Sequence, residues 1–224
     1  MSYLAWDNLI IGHNPTAPLT YSFSGHIQNP GIYAITGQNG CGKSTLLKTF
    51  LGIVKPVEGA ITLNNAPIPV LHHISQGIAY VPQFHSVNPY FHISVLNFVK
   101  HGFGPGFKPT QKDIDEIVAL LDQWQLSGFE HKSFHELSGG QKVRCMLVRA
   151  ILSKPKMLFL DEPLANLDAC CGQQLMDTLR ELVNTRKVCV LMVDHHFENH
   201  LERITQRFVF TRQHDEERSR VWVQ

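Results

Sequence analysis

The stretch GIYAITGQNGCGKSTLLKTFLG, residues 31–52, decides the fold. It opens on a short apolar run at residues 32–36, which is typical of a buried strand. Glycines follow at positions 37, 40 and 42, and a leucine-rich pattern with helical spacing comes directly after them. Glycines let backbone N–H groups turn inward around an anion, and the N-terminus of the following helix favours negative charge. The stretch therefore predicts a strand, a phosphate-binding loop and a helix.

The side chains that close this loop indicate which phosphates it binds. A strand, a glycine loop ending in Lys43 and Ser44, and a helix are the context that identifies a P-loop. We predict that Lys43 reaches the β- and γ-phosphates of a nucleoside triphosphate and that the Ser44 hydroxyl coordinates Mg²⁺. The predicted nucleotide-binding residues of this segment are Gly37, Asn39, Gly40, Cys41, Gly42, Lys43, Ser44 and Thr45.

Two adjacent carboxylates predict the hydrolytic part of the same site. The segment KMLFLDEPLANLD, residues 156–168, starts with an apolar strand pattern at 157–160 and continues into Asp161 and Glu162. Ligands of open α/β sheets bind at the carboxyl ends of the strands, so we expect this pair beside the P-loop. Asp161 is predicted to hold Mg²⁺, directly or through water, and Glu162 to polarise the attacking water.

The composition limits the possible classes of protein and partner. With 224 residues, 43% of them hydrophobic and 17% charged, the chain is long enough to bury a substantial core. The formal net charge of +1 gives no electrostatic reason to expect a nucleic-acid partner. The N-terminal residues show no secretory signal, and apolar runs such as VCVLMV, residues 188–193, are too short to span a bilayer. A membrane function would therefore need a second chain.

The five cysteines, at positions 41, 145, 170, 171 and 189, are odd in number and show no C-x-x-C spacing. This pattern favours reduced, buried thiols inside helices and strands over a disulfide framework. The adjacent pair at 170 and 171 could be a redox or metal device, but helix packing is the favoured interpretation.

A second glycine turn, LSGGQ at residues 137–141, precedes the carboxylate pair. Together with the P-loop, it resembles the signature motif of ATP-binding-cassette (ABC) ATPases. The resemblance implies that the signature caps the γ-phosphate of ATP held by the P-loop of a second copy. A serine at a helix N-cap followed by two glycines allows a close backbone approach to an anion, which is consistent with that role. Two chains facing head to tail would then form two complete sites, with the signature contributing Ser138, Gly139, Gly140 and Gln141.

Further motifs of this family occur in the expected order, and the resemblance covers most of the chain. It implies that Gln83, in YVPQF, contacts Mg²⁺ and senses the γ-phosphate, and that Asp168, in ANLD, crosses the dimer interface. His195, in LMVDHHF, matches the switch histidine that contacts the γ-phosphate. The adenine-stacking position departs from the family, because His13 aligns with its usual aromatic residue and stacks less broadly. Alternatives for that stacking role are Tyr3, Trp6 and Tyr21.

The predicted fold class is α/β, with a P-loop NTPase core of mixed sheet and an inserted helical subdomain. One domain is expected over residues 1–224, with its core at 1–83 and 155–224 and the helical insertion at about 84–154. Helices are expected after the P-loop, after the signature and at 172–184. Short strands are expected within residues 3–35 and near 59–63, 78–82, 157–160, 188–193 and 207–211.

The insertion contains one helix with a predicted start and one segment with two interpretations. DIDEIVALLDQWQL, residues 113–126, has helical spacing, and Asp113 is its predicted N-cap. Aromatic and apolar residues of segment 84–103 either form a docking groove for a permease or pack the core of the insertion; they are Phe84, Tyr90, Phe91, Val95 and Phe98.

Outside the insertion, the charged tail from residue 212 carries no predicted element.

The resemblance implies an ATP hydrolase that binds ATP and Mg²⁺. The expected assembly is a homodimer held by a separate integral membrane permease at the cytoplasmic face of the membrane, with a solute-binding protein as an indirect partner. Residues 77–103 resemble the same region of ATPases from zinc and manganese importers, which favours a divalent metal ion as cargo. The alternatives are a transporter of iron chelate, haem or another solute, a non-transport ABC ATPase, and an ATP-binding module without turnover.

Overall fold

The computed structural model describes residues 4–67, 77–83, 93–104, 106–165, 167–194, 197–212 and 216–224. Within them, the strands are β1 (Leu4–Ile10), β2 (Phe23–Ile27), β3 (Gly31–Gly37), β4 (Glu58–Leu63), β5 (Ala66–Pro67), β6 (Ile78–Val81), β7 (Met157–Asp161), β8 (Cys189–Val193), β9 (Gln206–Thr211) and β10 (Arg220–Val223). The α-helices are α1 (Lys43–Phe50), α2 (Val95–Lys100), α3 (Gln111–Gln123), α4 (Gly139–Leu152) and α5 (Ala169–Arg186). Short 3₁₀-helices occur at His101–Phe103, Phe134–Glu136 and Phe197–Arg203. In this described part of the chain, no helix is both long and apolar enough to cross a membrane.

A six-stranded sheet forms the centre of the fold, in the order β10-β9-β3-β8-β7-β6. The strands from β9 to β6 run parallel, and β10 pairs antiparallel with β9 at one edge. This mixed sheet, covered by helices, confirms the predicted α/β class. The charged tail, for which no element is predicted, forms β10, because four residues are too few to show a period and their pairing with β9 is not visible in the sequence.

Side chains of the parallel strands alternate between two apolar layers. In β3, Ile32 and Ala34 face one layer, whereas Tyr33 and Ile35 face the other. The first layer contains buried side chains of α2, α3, α4 and α5, and the second contains those of α1 and the antiparallel strands. Both faces of the central strands are therefore covered, as is usual for a parallel sheet.

A second sheet, in the order β2-β1-β4-β5, packs over α1. Trp6 on β1 joins the two sheets, because its ring centroid lies 4.8 Å from that of Phe50 on α1 and 5.3 Å from that of Phe208 on β9. The helix that follows the glycine loop is thus fixed between two sheets, which keeps the loop in place relative to the ends of the parallel strands.

The segment between the paired strands β6 and β7 contains α2, α3 and α4, with α4 at its centre. Phe98 stacks on Phe134 with 4.3 Å between ring centroids, and Val95 is fully buried in the same apolar layer. These two residues therefore support core packing over a docking groove. The other groove candidates, Phe84, Tyr90 and Phe91, lie outside the described residues, and the bounds of the insertion stay a prediction.

The helix α3 begins earlier than predicted. Its N-cap is Thr110, whose Oγ1 accepts the N–H of Asp113 at 3.4 Å, while Asp113 Oδ2 accepts the N–H of Thr110 at 2.7 Å. This reciprocal pair is a capping box. The prediction of Asp113 as N-cap is wrong, because the threonine three residues earlier takes the cap and places the acid in the first turn, where hydrogen bonds from Thr110 lower the pKa of the carboxyl.

Replacing Thr110 with alanine removes the cap, and we expect the free energy of unfolding to fall by about 1 kcal/mol. Urea unfolding followed by circular dichroism measures the change. Thr185→Ala on α5 is the matched control, because this hydroxyl bonds only to the Glu181 carbonyl within an exposed stretch of helix. We expect the control to change stability by less than about 0.5 kcal/mol. Equal losses in the two variants would show that the cap is not the source.

Candidate active site

The glycine loop after β3 adopts conformations that favour glycine. Gly37, Gly40 and Gly42 have φ angles of 146°, 76° and 110°. A Cβ atom on Gly37 would also lie 2.6 Å from the carbonyl oxygen of Phe210 on β9, so this position needs glycine for space as well as for conformation. Gly42 is the N-cap of α1, which directs the first N–H groups of the helix toward the loop.

Lys43 lies against the loop and is only 5% exposed. Its Nζ donates to the carbonyl oxygens of Gly37 and Gln38, each at 2.8 Å. An ammonium group has three donors, and the third faces the Cys41 Sγ at 4.0 Å, a weak acceptor that a phosphate oxygen would replace. The loop therefore holds a buried cation beside its own backbone amides, which is the arrangement expected of a phosphate site.

Asp161, at the end of β7, receives hydrogen bonds on both carboxylate oxygens. Ser44 Oγ donates to Oδ1 at 3.0 Å, and the Tyr80 hydroxyl on β6 donates to Oδ2 at 3.4 Å. Burial, with the charge of Asp161, raises the pKa of Tyr80, which keeps its phenol protonated and able to donate. Tyr80 is not among the predicted site residues, because its contact depends on the pairing of β6 with β7 and no local motif contains it.

Glu162 is held in a strained backbone conformation, with a φ angle of 50°. Its N–H donates to the Val193 carbonyl on β8 at 2.8 Å, and its Oε2 accepts a hydrogen bond from Gln83 Nε2. Left-handed conformations of residues other than glycine are uncommon and cluster at active sites. The structure thus brings two of the predicted catalytic side chains into direct contact at the ends of neighbouring strands.

A cleft beside the glycine loop contains six of the eight residues of this loop segment that are predicted to bind the nucleotide. It is lined by His13, Leu19, Asn39, Gly40, Gly42, Lys43, Ser44, Thr45 and Glu162. His13, the candidate for adenine stacking, thus shares the cleft with the P-loop. Among the alternatives, Trp6 is 3% exposed within the core, and Tyr21 lies against the guanidinium of Arg220 at 5.3 Å. Tyr3 lies outside the described residues.

The signature LSGGQ forms the N-terminus of α4. Ser138 is the N-cap: its Oγ accepts the N–H of Gln141 at 3.3 Å, and Gln141 Oε1 accepts the N–H of Ser138 at 2.9 Å. The capping box fixes the serine, while the N–H groups of Gly139 and Gly140 belong to the first helical turn, where no intrahelical acceptor exists. Among the described residues that line the P-loop cleft, none belongs to the signature.

Two further carboxylates lie at the ends of secondary-structure elements. Asp168 is the N-cap of α5 and accepts the N–H of Cys171 at 2.7 Å, a hydrogen bond that lowers the pKa of the aspartate. Asp194, 1% exposed after β8, accepts the N–H of Leu164 at 2.9 Å and so fixes the turn that follows the carboxylate pair. Asp194 is not among the predicted residues, although an acid directly after a buried strand was a usable signal. His195, next in the chain, lies outside the described residues.

The cysteines differ in environment more than predicted. Cys145 and Cys189 are buried in α4 and β8, and burial raises their pKa to about 12 and about 11. Cys41 is buried in the glycine loop, and Cys170 is exposed in the first turn of α5. The expectation of buried thiols inside helices and strands is therefore wrong about the element for Cys41, which is buried but lies in the loop, and wrong about burial for Cys170, which lies in a helix but is exposed. Cys171, next to Cys170, is half-buried in the same helix.

We expect Cys170 to react first with N-ethylmaleimide, because thiolate exposure controls the rate. Cys145 and Cys189 should stay unmodified in the folded chain at pH 8, since burial excludes the reagent and their raised pKa keeps them protonated. Peptide mass spectrometry after timed alkylation gives the order, and the urea-unfolded chain, in which every cysteine reacts, is the control. Labelling of Cys145 as fast as Cys170 in the folded chain would contradict the assigned burial.

The chain matches a family model described as ABC transporter over residues 21–165. The manganese transport system ATP-binding protein MntB of Listeria innocua is 36% identical over 170 residues, which cover 74% of this chain and 69% of that protein. The spermidine/putrescine import ATP-binding protein PotA of Mesoplasma florum is 35% identical over 193 residues, which cover 82% of this chain and 52% of that protein. The chain thus spans only part of the length of these relatives.

The structural similarity extends over nearly the whole chain. The solved structure of cbiO1 from Clostridium perfringens, part of the ABC transporter complex cbiONQ, has a TM-score of 0.81 at 27% identity and covers 98% of this chain and 86% of that one. Further relatives are named for the import of iron(III), molybdate and thiamine. The chain belongs to the ABC transporter family, as one of its nucleotide-binding, ATP-hydrolysing proteins.

Proposed function

We propose that the chain is the ATP-hydrolysing subunit of an ABC importer and works as a head-to-tail dimer. The observation that carries this proposal is the separation of two phosphate-binding features within one chain. The P-loop cleft is lined by residues of the glycine loop and by Glu162, whereas the capped N-terminus that carries Ser138 does not line it. Each feature is incomplete alone, and a second copy would complete both.

In the proposed reaction, the P-loop amides and Lys43 bind the β- and γ-phosphates of ATP. The Lys43 ammonium, already held against the loop, would exchange its long contact with Cys41 Sγ for a hydrogen bond to a phosphate oxygen. Glu162 would polarise the attacking water, and Gln83, which donates to its carboxylate, would hold that group in place until the phosphate is bound. His195 is proposed to contact the γ-phosphate, and this proposal rests on the sequence motif alone.

The oxygen atoms beside the P-loop fit Mg²⁺. Ser44 Oγ lies 3.0 Å from Asp161 Oδ1, and hydroxyl and carboxylate oxygens are ligands that this ion accepts together with phosphate oxygens and water. Ser44, Asp161 and Gln83 are the residues proposed to hold it, directly or through water. When bound, the ion would neutralise charge on the β- and γ-phosphates.

The signature is proposed to complete the site of the second copy. A helix N-terminus with glycines in its first turn presents N–H groups to an anion, and Ser138 is fixed at its edge by the capping box. The capping residues would be Ser138, Gly139, Gly140 and Gln141. Asp168, which caps the neighbouring helix α5, is proposed to cross the same interface.

The proposed cargo is a divalent metal ion, zinc or manganese, carried by a separate integral membrane permease. The ATPase would be held at the cytoplasmic face of the membrane, and a solute-binding protein would act indirectly. Similarity to a manganese transport ATPase supports this cargo. Relatives named for spermidine, iron(III), molybdate and thiamine lie in the same range of 30–36% identity, so an iron-chelate, haem or other solute transporter is the alternative. A non-transport ABC ATPase is disfavoured, because each of these relatives is named for transport or import.

Glu162→Gln tests the hydrolytic assignment. The amide keeps the size of the side chain but cannot take up a proton, so we expect ATP turnover to fall at least about 100-fold while ATP binding persists. Phosphate release measures turnover, and gel filtration with ATP should show an accumulated dimer. Glu181→Gln, exposed on α5, is the matched control and should keep normal turnover. Hydrolysis at the wild-type rate in Glu162→Gln would show that the Glu162 carboxylate is not required for the reaction.

Lys43→Ala tests the cargo in the source organism. Loss of the P-loop ammonium should stop transport, and we expect cells grown under metal limitation to lose zinc or manganese selectively. Elemental mass spectrometry of zinc, manganese and iron measures the effect. A selective fall in iron would favour the alternative cargo, and unchanged levels of all three metals would contradict a metal importer.

A further inference from the structure

Arg144 on α4 connects three parts of the chain through one guanidinium. Its Nη1 donates to Gln125 Oε1 at 2.7 Å, and its Nη2 donates to Gln174 Oε1 at 2.9 Å. The same Nη2 lies 3.5 Å from the Sγ of Cys171. The side chain is half-buried, and it is not among the described residues that line the P-loop cleft.

These contacts join two helices that begin at functional motifs. Gln125 lies in the turn after α3, whereas Cys171 and Gln174 lie in the first turns of α5. The helix that carries Arg144 starts at the Ser138 cap, and α5 starts at the Asp168 cap. Arg144 therefore bridges the two helices close to the ends that are proposed to face the second copy.

A packing contact lies at the same end of the two helices. A Cβ atom on Gly140 would lie 3.1 Å from Leu167 Cδ2, so the signature helix approaches the residue before Asp168 closely. Packing alone fixes a distance but resists rotation weakly. The planar guanidinium adds direction, because its donors have a fixed fork geometry.

We propose that Arg144 is a positioning residue that holds the signature helix α4 and the Asp168 helix α5 as one rigid surface for ATP-dependent dimerisation. This inference rests on the head-to-tail dimer proposed above. Its hydrogen-bond acceptors among the described residues are neutral amide oxygens and a thiol. After the hydrogen bond from Cys171, the charge of Arg144 also lowers the pKa of the Asp168 carboxyl, which caps α5. Loss of Arg144 should therefore affect the geometry of the dimer surface more than the stability of the monomer.

The test uses the Glu162→Gln background, in which ATP should trap the dimer. Adding Arg144→Met should weaken ATP-dependent dimerisation about tenfold, the size expected for a residue that couples two packed elements. Nucleotide affinity of the monomer should change less than about twofold, since the P-loop does not contact Arg144. Analytical ultracentrifugation measures dimerisation, and a fluorescent ATP analogue measures monomer binding. Arg144→Lys keeps the charge but loses the fork of donors. In the same background, its dimerisation affinity should fall between that of Glu162→Gln alone and that of the variant with Arg144→Met added.

Three further variants define the range in which the result is interpreted. Arg149→Met, on the same helix with its guanidinium 5.0 Å from the Phe98 ring centroid, removes an exposed arginine and should dimerise normally. Ser138→Arg should abolish dimerisation and marks the lower limit of the assay. Gln174→Leu should weaken dimerisation less than Arg144→Met and add little to it in the double variant, because both changes break the same contact.

The outcomes separate this inference from the function on which it rests. If Glu162→Gln alone does not dimerise with ATP, the proposed head-to-tail dimer fails, and the inference falls with it. If that dimer forms and Arg144→Met dimerises equally well, the dimer stands and the positioning role is wrong. If Arg144→Met loses nucleotide binding by the monomer as well, the arginine is a general structural contact and the inference is overturned.

Discussion

Five parallel strands end at one edge of the central sheet, and their register sets the distances within the site. Ile35 of β3 and Asp161 of β7 both pair with Val193 of β8, so the glycine loop and the carboxylate pair emerge on either side of the same residue. This alignment brings Ser44 within hydrogen-bonding distance of Asp161. A slip of one residue would turn the aspartate to the opposite face of the sheet. The position of the carboxylates relative to the glycine loop therefore depends on strand pairing.

Three helix N-termini differ in how they are capped. The helix α1 begins at Gly42, which has no side chain, so its first N–H groups stay available to a ligand. By contrast, α4 and α5 are capped by their own Ser138 and Asp168. The uncapped helix lies in the cleft of its own chain, and the two capped helices are adjacent to each other at Gly140 and Leu167. This difference in capping matches the difference in proposed roles, one binding within the chain and the other between chains.

Sequence patterns were enough to predict the parts of the site whose residues are contiguous in the chain. The loop from residue 37 to 45 and the cap at Ser138 are contiguous, so composition and spacing identify them without knowledge of the fold. Tyr80 and Arg144 could not be found in this way, because their partners are brought close only by strand pairing and helix packing. The strand β10 was missed for the same reason, since four residues in a charged tail show no period.

The start of α3 shows a different limit of sequence patterns. Thr110 and Asp113 are three residues apart and both residue types favour N-caps, so the pattern allows either start. Only the geometry, in which each side chain accepts the backbone N–H of the other, decides for the threonine. The prediction of a helix is confirmed, but the observed N-cap lies three residues before the predicted one.

The backbone of Glu162 has a consequence for how this chain can be altered. A φ angle of 50° is costly for glutamate and nearly free for glycine, by an amount on the order of 1 kcal/mol. Selection for heat resistance alone would therefore favour replacing the residue proposed to polarise water. Laboratory evolution toward a more robust chain needs a simultaneous screen for turnover, because at this position thermal robustness and chemistry oppose each other.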